Sequence, residues 1–174
     1  MVERVSSFEL QVVEERKFRI HALSHLFSIL GVTPALGRFF TEQDDRRGAA
    51  ATVVLTNGLW QRRYASDPAI VGKTILLDAQ KYTVIGVLPA WFDYPDARVQ
   101  LWVPARLVVS ETDMRNRGNH RFYVTARLKD GVTVEQASSE LDGIQQRNHL
   151  QFPDELMGKG ARTRCCCRKI WCAK

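Results

Sequence analysis

The stretch from Ser24 to Val87 most constrains the fold, because glycines, prolines and short apolar segments follow one another there with little polar sequence between them. The apolar run over residues 52–56 predicts a buried strand, and residues 73–87 predict a hairpin joined at residues 78–80. Apolar side chains of its two strands are expected to face one another, namely Ile75 and Leu77 with Tyr82 and Val84. Short strands that alternate with short helices predict an α+β fold.

Two helices are predicted inside this stretch. Ser24 is expected to be the N-cap of the first, which ends at Gly31 and carries Leu26, Phe27 and Leu30 as its apolar stripe. Asn57 is expected to cap the second, which ends at residues 67–68 and turns Leu59, Trp60 and Tyr64 largely to one side.

The two ends of the chain predict further elements. Residues 8–23 indicate two short strands around a charged turn over residues 14–17. Residues 121–128 predict a strand that leads, after a turn, into a helix over about residues 134–150. That helix has a capping box and an apolar stripe, formed by Thr133 with Gln136 and by Ala137, Leu141 and Ile144. The polar segment 111–121 is expected to be a mobile connection, and the strand-helix unit calls for a further strand to complete a crossover.

The basic character of the chain is confined to its end. A length of 174 residues with 45% apolar composition is sufficient for a real core, and six of the 25 Lys and Arg residues follow Gly158, where no acidic residue occurs. Up to Gly158 the basic and acidic residues are equal in number. This distribution argues against nucleic acid as a partner.

The four cysteines are also confined to the tail, at Cys165, Cys166, Cys167 and Cys172. Three adjacent cysteines do not have the spacing of a zinc site. The change in composition after Ala161 predicts that residues 159–174 are not native domain sequence and arise from a frameshift or truncation. Since the chain has no apolar run long enough to span a membrane and Met1 does not open a signal peptide, we expect a soluble fragment.

The sequence contains only incomplete versions of motifs for phosphate binding and for zinc-dependent catalysis. Gly72-Lys73-Thr74 ends like a phosphate-binding loop, but Asp67 stands where that loop needs glycine. His21 and His25 are four residues apart, yet His21 is expected to precede the helix, and no Glu of a zinc-protease motif lies between them. We therefore predict no catalytic residue, no cofactor site and no metal site.

An aromatic loop between Pro89 and Pro95 is the predicted contact with a partner. Its candidate contact residues are Trp91, Phe92 and Tyr94. Most aromatic residues pack in cores, but an aromatic loop bracketed by prolines is better placed for a partner contact than a core element is.

Four segments together resemble one protein family. They are SHLFSILGVTPALGRFF (24–40), VVL (53–55), DPAIVGKTI (67–75) and YTVIGVLP (82–89). In this combination the chain resembles the MacB-like periplasmic core domain, the extracytoplasmic part of a class of ABC transporter permeases, over about residues 15–155. The resemblance implies a two-lobed mixed α/β domain. Residues 1–22 with 106–158 would form an incomplete porter-like lobe, and residues 23–105 an inserted sabre-like lobe.

The resemblance implies a non-catalytic role at the periplasmic face of a bacterial inner membrane. Such a domain couples cytoplasmic ATP hydrolysis to the export or extraction of a substrate outside the membrane. Its implied partners are the rest of the parent permease, the ATPase subunit or domain, a second copy and periplasmic adaptor proteins, and it meets the membrane only through segments that this chain lacks. A free-standing soluble module that binds a ligand or a protein through residues 91–94 is the alternative, and a small hydrolase is a third hypothesis.

Overall fold

Strands outnumber helices in the described part of the chain, which has a mixed α/β fold. The computed structural model describes residues 8–16, 19–22, 24–107, 109–110, 112 and 122–152. The elements within them are β1 (Phe8–Arg16), β2 (Arg19–Ala22), α1 (Leu26–Ile29), β3 (Leu36–Gly37), β4 (Thr52–Leu55), α2 (Asn57–Tyr64), β5 (Thr74–Leu77), β6 (Gln80–Val87), β7 (Leu101–Pro104), β8 (Phe122–Leu128) and α3 (Val134–Gln151). Short 3-10 helices follow at Pro68–Ile70 and Ala105–Leu107. The predicted mixture of strands and helices is confirmed.

The strands belong to one mixed sheet. Their order is β3-β6-β4-β7-β2-β1-β8, and β5 pairs with β6. β4 runs parallel to β6, and β2 runs parallel to β7. β1 with β2, β3 with β6, β4 with β7 and β5 with β6 are antiparallel. A β-bulge between Val53 and Val54 shifts the register of β4, so that Val54 lies opposite Gly86.

The central strands are buried on both faces. In β4, Val54 joins one apolar cluster, whereas Val53 and Leu55 join another. The first cluster includes residues of α1 and of the connection between β6 and β7. The second includes Leu59 of α2 and Ile70 of the following 3-10 helix. Because both faces are covered, β4 consists of apolar side chains next to Thr52 and does not alternate with polar ones.

Two glycines allow β3 to approach β6 closely. A Cβ atom on Gly37 would lie 2.2 Å from the carbonyl oxygen of Ile85, and one on Gly86 would lie 2.3 Å from the carbonyl oxygen of Arg38. Gly37 also has a φ of 69°. Only glycine fits both positions without moving the backbone.

The chain divides into two compact units. One comprises Gln11–Ser110 with Arg121–Thr125, and the other includes residues 8–10 and 126–152. In the second unit the described core is a small cluster in which Ala137 of α3 is buried and Leu128, Val132, Leu141 and Ile144 are partly buried. The predicted lobe boundaries, 1–22 with 106–158 and 23–105, stay a prediction.

Several local predictions are confirmed. β4 is buried throughout, β5 and β6 form the hairpin with Ile75 opposite Tyr82, and α3 begins with the predicted capping box of Thr133 and Gln136. The prediction for the second apolar pair is wrong, because the register places Leu77 opposite Gln80 and not opposite Val84. The hairpin turn is shorter than predicted, since Gln80 already belongs to β6. Asp78 and Ala79 both have positive φ, 50° and 64°, as the central residues of a type I′ turn do.

The predicted helix ends are wrong by one or more residues. The N-cap of α1 is His25 and not Ser24, whose hydroxyl lies next to the ring of His25. The N-cap of α2 is Thr56 and not Asn57, because Thr56 leaves β4 in an extended conformation and its side chain accepts a hydrogen bond from the amide of Leu59. α2 ends at Ala65, which has a left-handed conformation, before residues 67–68.

The predicted charged turn near the N-terminus is also wrong in part. Glu14, Glu15 and Arg16 lie in β1, opposite His21, Ile20 and Arg19 of β2. The two predicted strands are confirmed, but the first extends through the charged residues because the antiparallel pairing continues to Arg16.

Candidate functional site

The predicted contact residues Trp91, Phe92 and Tyr94 lie in the connection between β6 and β7, in different surroundings. Phe92 is buried in the apolar cluster and Tyr94 packs half-buried against that cluster. Trp91 is 53% exposed. We call residues 89–95 the aromatic loop. The rings of Phe92 and Tyr94 attach it to the core, and about half of the surface of Trp91 is exposed.

An aromatic cluster holds the aromatic loop in place. The ring centroid of Phe27, in α1, lies 4.1 Å from that of Phe39 and 6.0 Å from that of Phe92. Trp102, in β7, is fully buried, and its ring lies 5.3 Å from that of Phe27. Tyr94 stacks on Trp102 at 6.3 Å with an interplanar angle of 17°. Ring pairs of this kind contribute about 0.5–1.5 kcal/mol each beyond the area they bury, so the cluster fixes the loop to α1 and β7.

Two polar groups at this cluster differ in whether they have a hydrogen-bond partner. The hydroxyl of Tyr94 forms a hydrogen bond with the hydroxyl of Thr125 in β8. The indole Nε1 of Trp102 is buried and has no hydrogen-bond partner in the described part of the chain. A buried donor without a partner costs about 1–3 kcal/mol. The loop therefore gains ring packing and one hydrogen bond, whereas this donor has no protein partner among the described residues.

A carboxylate fixes the chain that leads from β3 into the cluster. Arg38 donates to both oxygens of Asp44, with Nη1 to Oδ2 at 2.6 Å and Nη2 to Oδ1 at 2.9 Å. The amide and hydroxyl of Thr41 donate to Oδ2 at 2.8 Å and 2.7 Å. The hydrogen bonds from Arg38, helped by those from Thr41 and opposed by burial, lower the pKa of Asp44 to about 2. Asp44 thereby keeps residues 38–44 in a defined turn.

Gly72-Lys73-Thr74 forms the entry into the hairpin. The Nζ atom of Lys73 donates to Oδ2 of Asp67 at 2.7 Å, and Thr74 is the first residue of β5. Asp67 also accepts from the amide of Ala69 at 2.8 Å, and the hydrogen bond from Lys73 is the main cause of its lowered pKa. Gly72 supplies a φ of 90°. The geometry of the triplet is therefore that of a structural connection.

The structure brings one histidine next to a serine and a glutamate. Ser24 Oγ lies 3.2 Å from Nδ1 of His25, and Oε1 of Glu42 lies 3.8 Å from its Nε2. The side chains of His25 and Glu42 are 43% and 72% exposed. A catalytic serine, histidine and carboxylate need to lie in a cleft beside donors that stabilise an oxyanion. Because the side chains of His25 and Glu42 are largely in contact with solvent, we assign this group of residues no catalytic role. His21 belongs to β2.

Some predicted features lie outside the described residues. They are most of the polar segment 111–121 and the whole tail 159–174 with its four cysteines. In the part of the chain that the structure does describe, no group of three or more His, Cys, Asp or Glu side chains is placed to hold a metal ion. None of the helices described there has the length and apolar character of a membrane span.

Sequence reasoning missed the polar partner of the aromatic loop. The hydrogen bond between Tyr94 and Thr125 joins residues that are 31 positions apart. No local pattern indicates this pairing, because it depends on where β8 lies in the sheet. The burial of Trp102 could have been predicted from the sequence, because Trp102 stands in the apolar segment Leu101–Pro104. The structure buries all four residues of that segment.

The mixed sheet with both faces covered, and the aromatic loop beside it, define a mixed α/β domain with an exposed tryptophan. Comparison with protein families gives a narrower answer. The MacB-like periplasmic core domain matches residues 2–144, and the chain belongs to this family. At this level it is a periplasmic domain of an ABC-type permease, as the resemblance predicted.

Solved structures show the same fold. The periplasmic region of MacB from Actinobacillus actinomycetemcomitans is similar with a TM-score of 0.58 at 19% identity, over 85% of this chain and 68% of that one. A domain assigned to a permease protein from Porphyromonas gingivalis is similar with a TM-score of 0.53 at 21% identity, over 84% of this chain and 70% of that one. No relative among the curated proteins matches the chain.

Proposed function

We propose that this chain transmits movement and performs no bond chemistry. In the parent permease it couples cytoplasmic ATP hydrolysis to the export or extraction of a substrate outside the membrane. Membership of the MacB-like periplasmic core domain family supports the setting, since the chain is then one part of a larger transporter. The partners that we propose are the rest of the permease, its ATPase, a second copy of the domain and periplasmic adaptor proteins.

The observation that carries the contact part of this proposal is the exposed indole of Trp91. An exposed tryptophan at 53% accessibility is a large apolar surface in water, and its ring lies 6.1 Å from that of the buried Phe92. Tryptophan is enriched among the residues that dominate binding energy at interfaces, and a rigid backing reduces the entropy lost on binding. We therefore propose that Trp91 is the partner contact and that Phe92 and Tyr94 hold it in position.

The lobe organisation belongs to the same proposal. Residues 1–22 with 106–158 form one lobe and residues 23–105 an inserted lobe, and the nucleotide-driven motion of the membrane helices reaches the outside through them. The small described core around Ala137 supports a modest stability for the part that contains α3. Segments with few buried apolar contacts are the ones that move most readily.

The experiment is a comparison of transport and ATPase rates in the parent permease. Trp91→Ala should lower the amount of substrate moved per ATP by about fivefold or more, because loss of an interface tryptophan costs on the order of 1 kcal/mol or more. The basal ATPase rate should stay unchanged. Leu76→Ala is the matched control, since Leu76 is also exposed, at 67%, but lies in β5.

Two outcomes would speak against the proposal. Equal coupling in the wild type and the Trp91→Ala variant would remove the aromatic loop from the contact. A normal permease together with a weakened complex between the isolated chain and a ligand would favour the alternative, a module that binds a ligand or a protein by itself.

A further inference from the structure

The aromatic loop exposes one residue to solvent, Trp91, and contacts another strand through a second residue, Tyr94. Trp91 faces solvent, whereas Tyr94 reaches β8 through its hydrogen bond to Thr125. β8 continues through the turn at residues 129–131 into α3. The loop therefore touches a strand that is distant in sequence and that leads directly into the longest described helix.

We propose that Tyr94 is a positioning residue whose hydrogen bond to Thr125 latches the aromatic loop to β8, so that a displacement of Trp91 is passed to that strand. This inference rests on the proposed function only for the assignment of the partner contact to Trp91. The latch itself needs no partner and is tested without one.

Two opposing terms make this loop suited to a reversible movement. Closure buries Phe92, stacks Tyr94 on Trp102 and forms the hydrogen bond to Thr125. Opening lets water reach the indole N–H of Trp102, which has no hydrogen-bond partner among the described residues. Hydration of that donor recovers part of what the lost packing costs. Opening of the loop therefore costs less free energy than it would if the indole N–H of Trp102 had a hydrogen-bond partner in the protein.

The same buried donor reports the state of the loop. The indole N–H of Trp102 is fully buried and is not protected by a hydrogen bond within the described part of the chain. Its exchange with solvent hydrogen therefore measures opening of the surrounding cluster. Exchange of the backbone amides of β8 measures whether the strand loosens together with the loop.

The test is hydrogen exchange by NMR on the full chain. Tyr94→Phe removes the hydroxyl and keeps the ring, so exchange at Trp102 and at the amides of β8 should both become about two- to tenfold faster. Thr125→Val should have the same effect from the other side. The double variant should add nothing, because either change removes the same hydrogen bond. Thr125→Ser keeps the hydroxyl and should restore wild-type exchange.

A buried tyrosine in β6 provides the matched control. Tyr82 is 1% exposed, and its hydroxyl donates to Oε1 of Gln80 at 3.0 Å, within β6. Tyr82→Phe should leave exchange at Trp102 and in β8 as in the wild type. The latch would be overturned by faster exchange at Trp102 with an unchanged β8, by no response to Thr125→Val, or by additive effects in the double variant.

The outcome separates this inference from the proposed function. A confirmed latch with normal coupling in the Trp91→Ala permease would place the partner contact elsewhere. A failed latch with reduced coupling would keep Trp91 as the contact and remove β8 from the path.

Discussion

Asp44 is a residue at which charge and local structure are directly linked. It is a buried carboxylate that accepts hydrogen bonds from Arg38 and Thr41, and it holds the chain just after Phe39 and Phe40 enter the aromatic cluster. The ionised form accepts these hydrogen bonds, so the folded state favours the charge.

We predict that Asp44→Asn lowers the free energy of unfolding by about 2 kcal/mol at neutral pH, because charge-assisted hydrogen bonds are lost. The pKa of Asp44 falls from 3.8 to about 2 on folding, so its contribution is complete above about pH 4 and is lost as the pH falls toward 2. Urea unfolding at several pH values should show the variant and the wild type converging over that window. Asp93→Asn, which removes an exposed carboxylate of the aromatic loop, is the control for the loss of a surface charge.

At the scale of elements, α3 begins with a complete capping box. The amide of Gln136 donates to Oγ1 of Thr133 at 3.2 Å, and the amide of Thr133 donates to Oε1 of Gln136 at 2.9 Å. Only Ala137 of this helix is buried in the described cluster, so the cap carries more of its stability than it would in a deeply packed helix.

Thr133→Ala should destabilise the first turn of α3 by about 1 kcal/mol, which is about a fivefold increase in amide exchange there. Ser139→Ala is the control, since the Ser139 hydroxyl only donates back to the carbonyl of Glu135 within the helix, at 3.0 Å. Equal exchange in the two variants would show that packing, and not the cap, determines the stability of this turn.

Local patterns predicted the elements better than their pairings. The apolar run of β4, the hairpin of β5 and β6, and the capping box of α3 are short-range signals, and the structure has all three. The order of strands in the sheet depends on long-range pairings such as β2 with β7, which join residues about eighty positions apart and which no local pattern specifies. The helix caps were misplaced by one residue because two polar residues stood side by side at each start.

The candidate site was predictable only in its location. Prolines and aromatic residues in the sequence indicated where the loop is. Which of its rings pack against the core depends on Phe27 of α1, which contacts Phe92, and on Trp102 of β7, which contacts Tyr94. These residues meet the loop only in the folded sheet. The partner role of Trp91 stays a prediction until it is tested in a permease.

At the scale of the whole molecule, the proposed function is that of a domain that moves as part of a transporter. Membership of the MacB-like periplasmic core domain family gives the setting, and the proposed latch between the aromatic loop and β8 would give a physical path through the described residues. If the proposed contact at Trp91 changes with the nucleotide state, the loop and β8 should differ between the two states, whereas the buried strand β4 should be the same in both.

Hydrogen exchange on the parent permease, with and without trapped nucleotide, tests this claim most directly. We predict that exchange in residues 89–95 and in β8 changes between the two states while exchange in β4 does not. Identical exchange throughout residues 8–152 in an ATPase-active permease would contradict the account, because a domain that couples ATP hydrolysis to transport cannot be indifferent to the nucleotide.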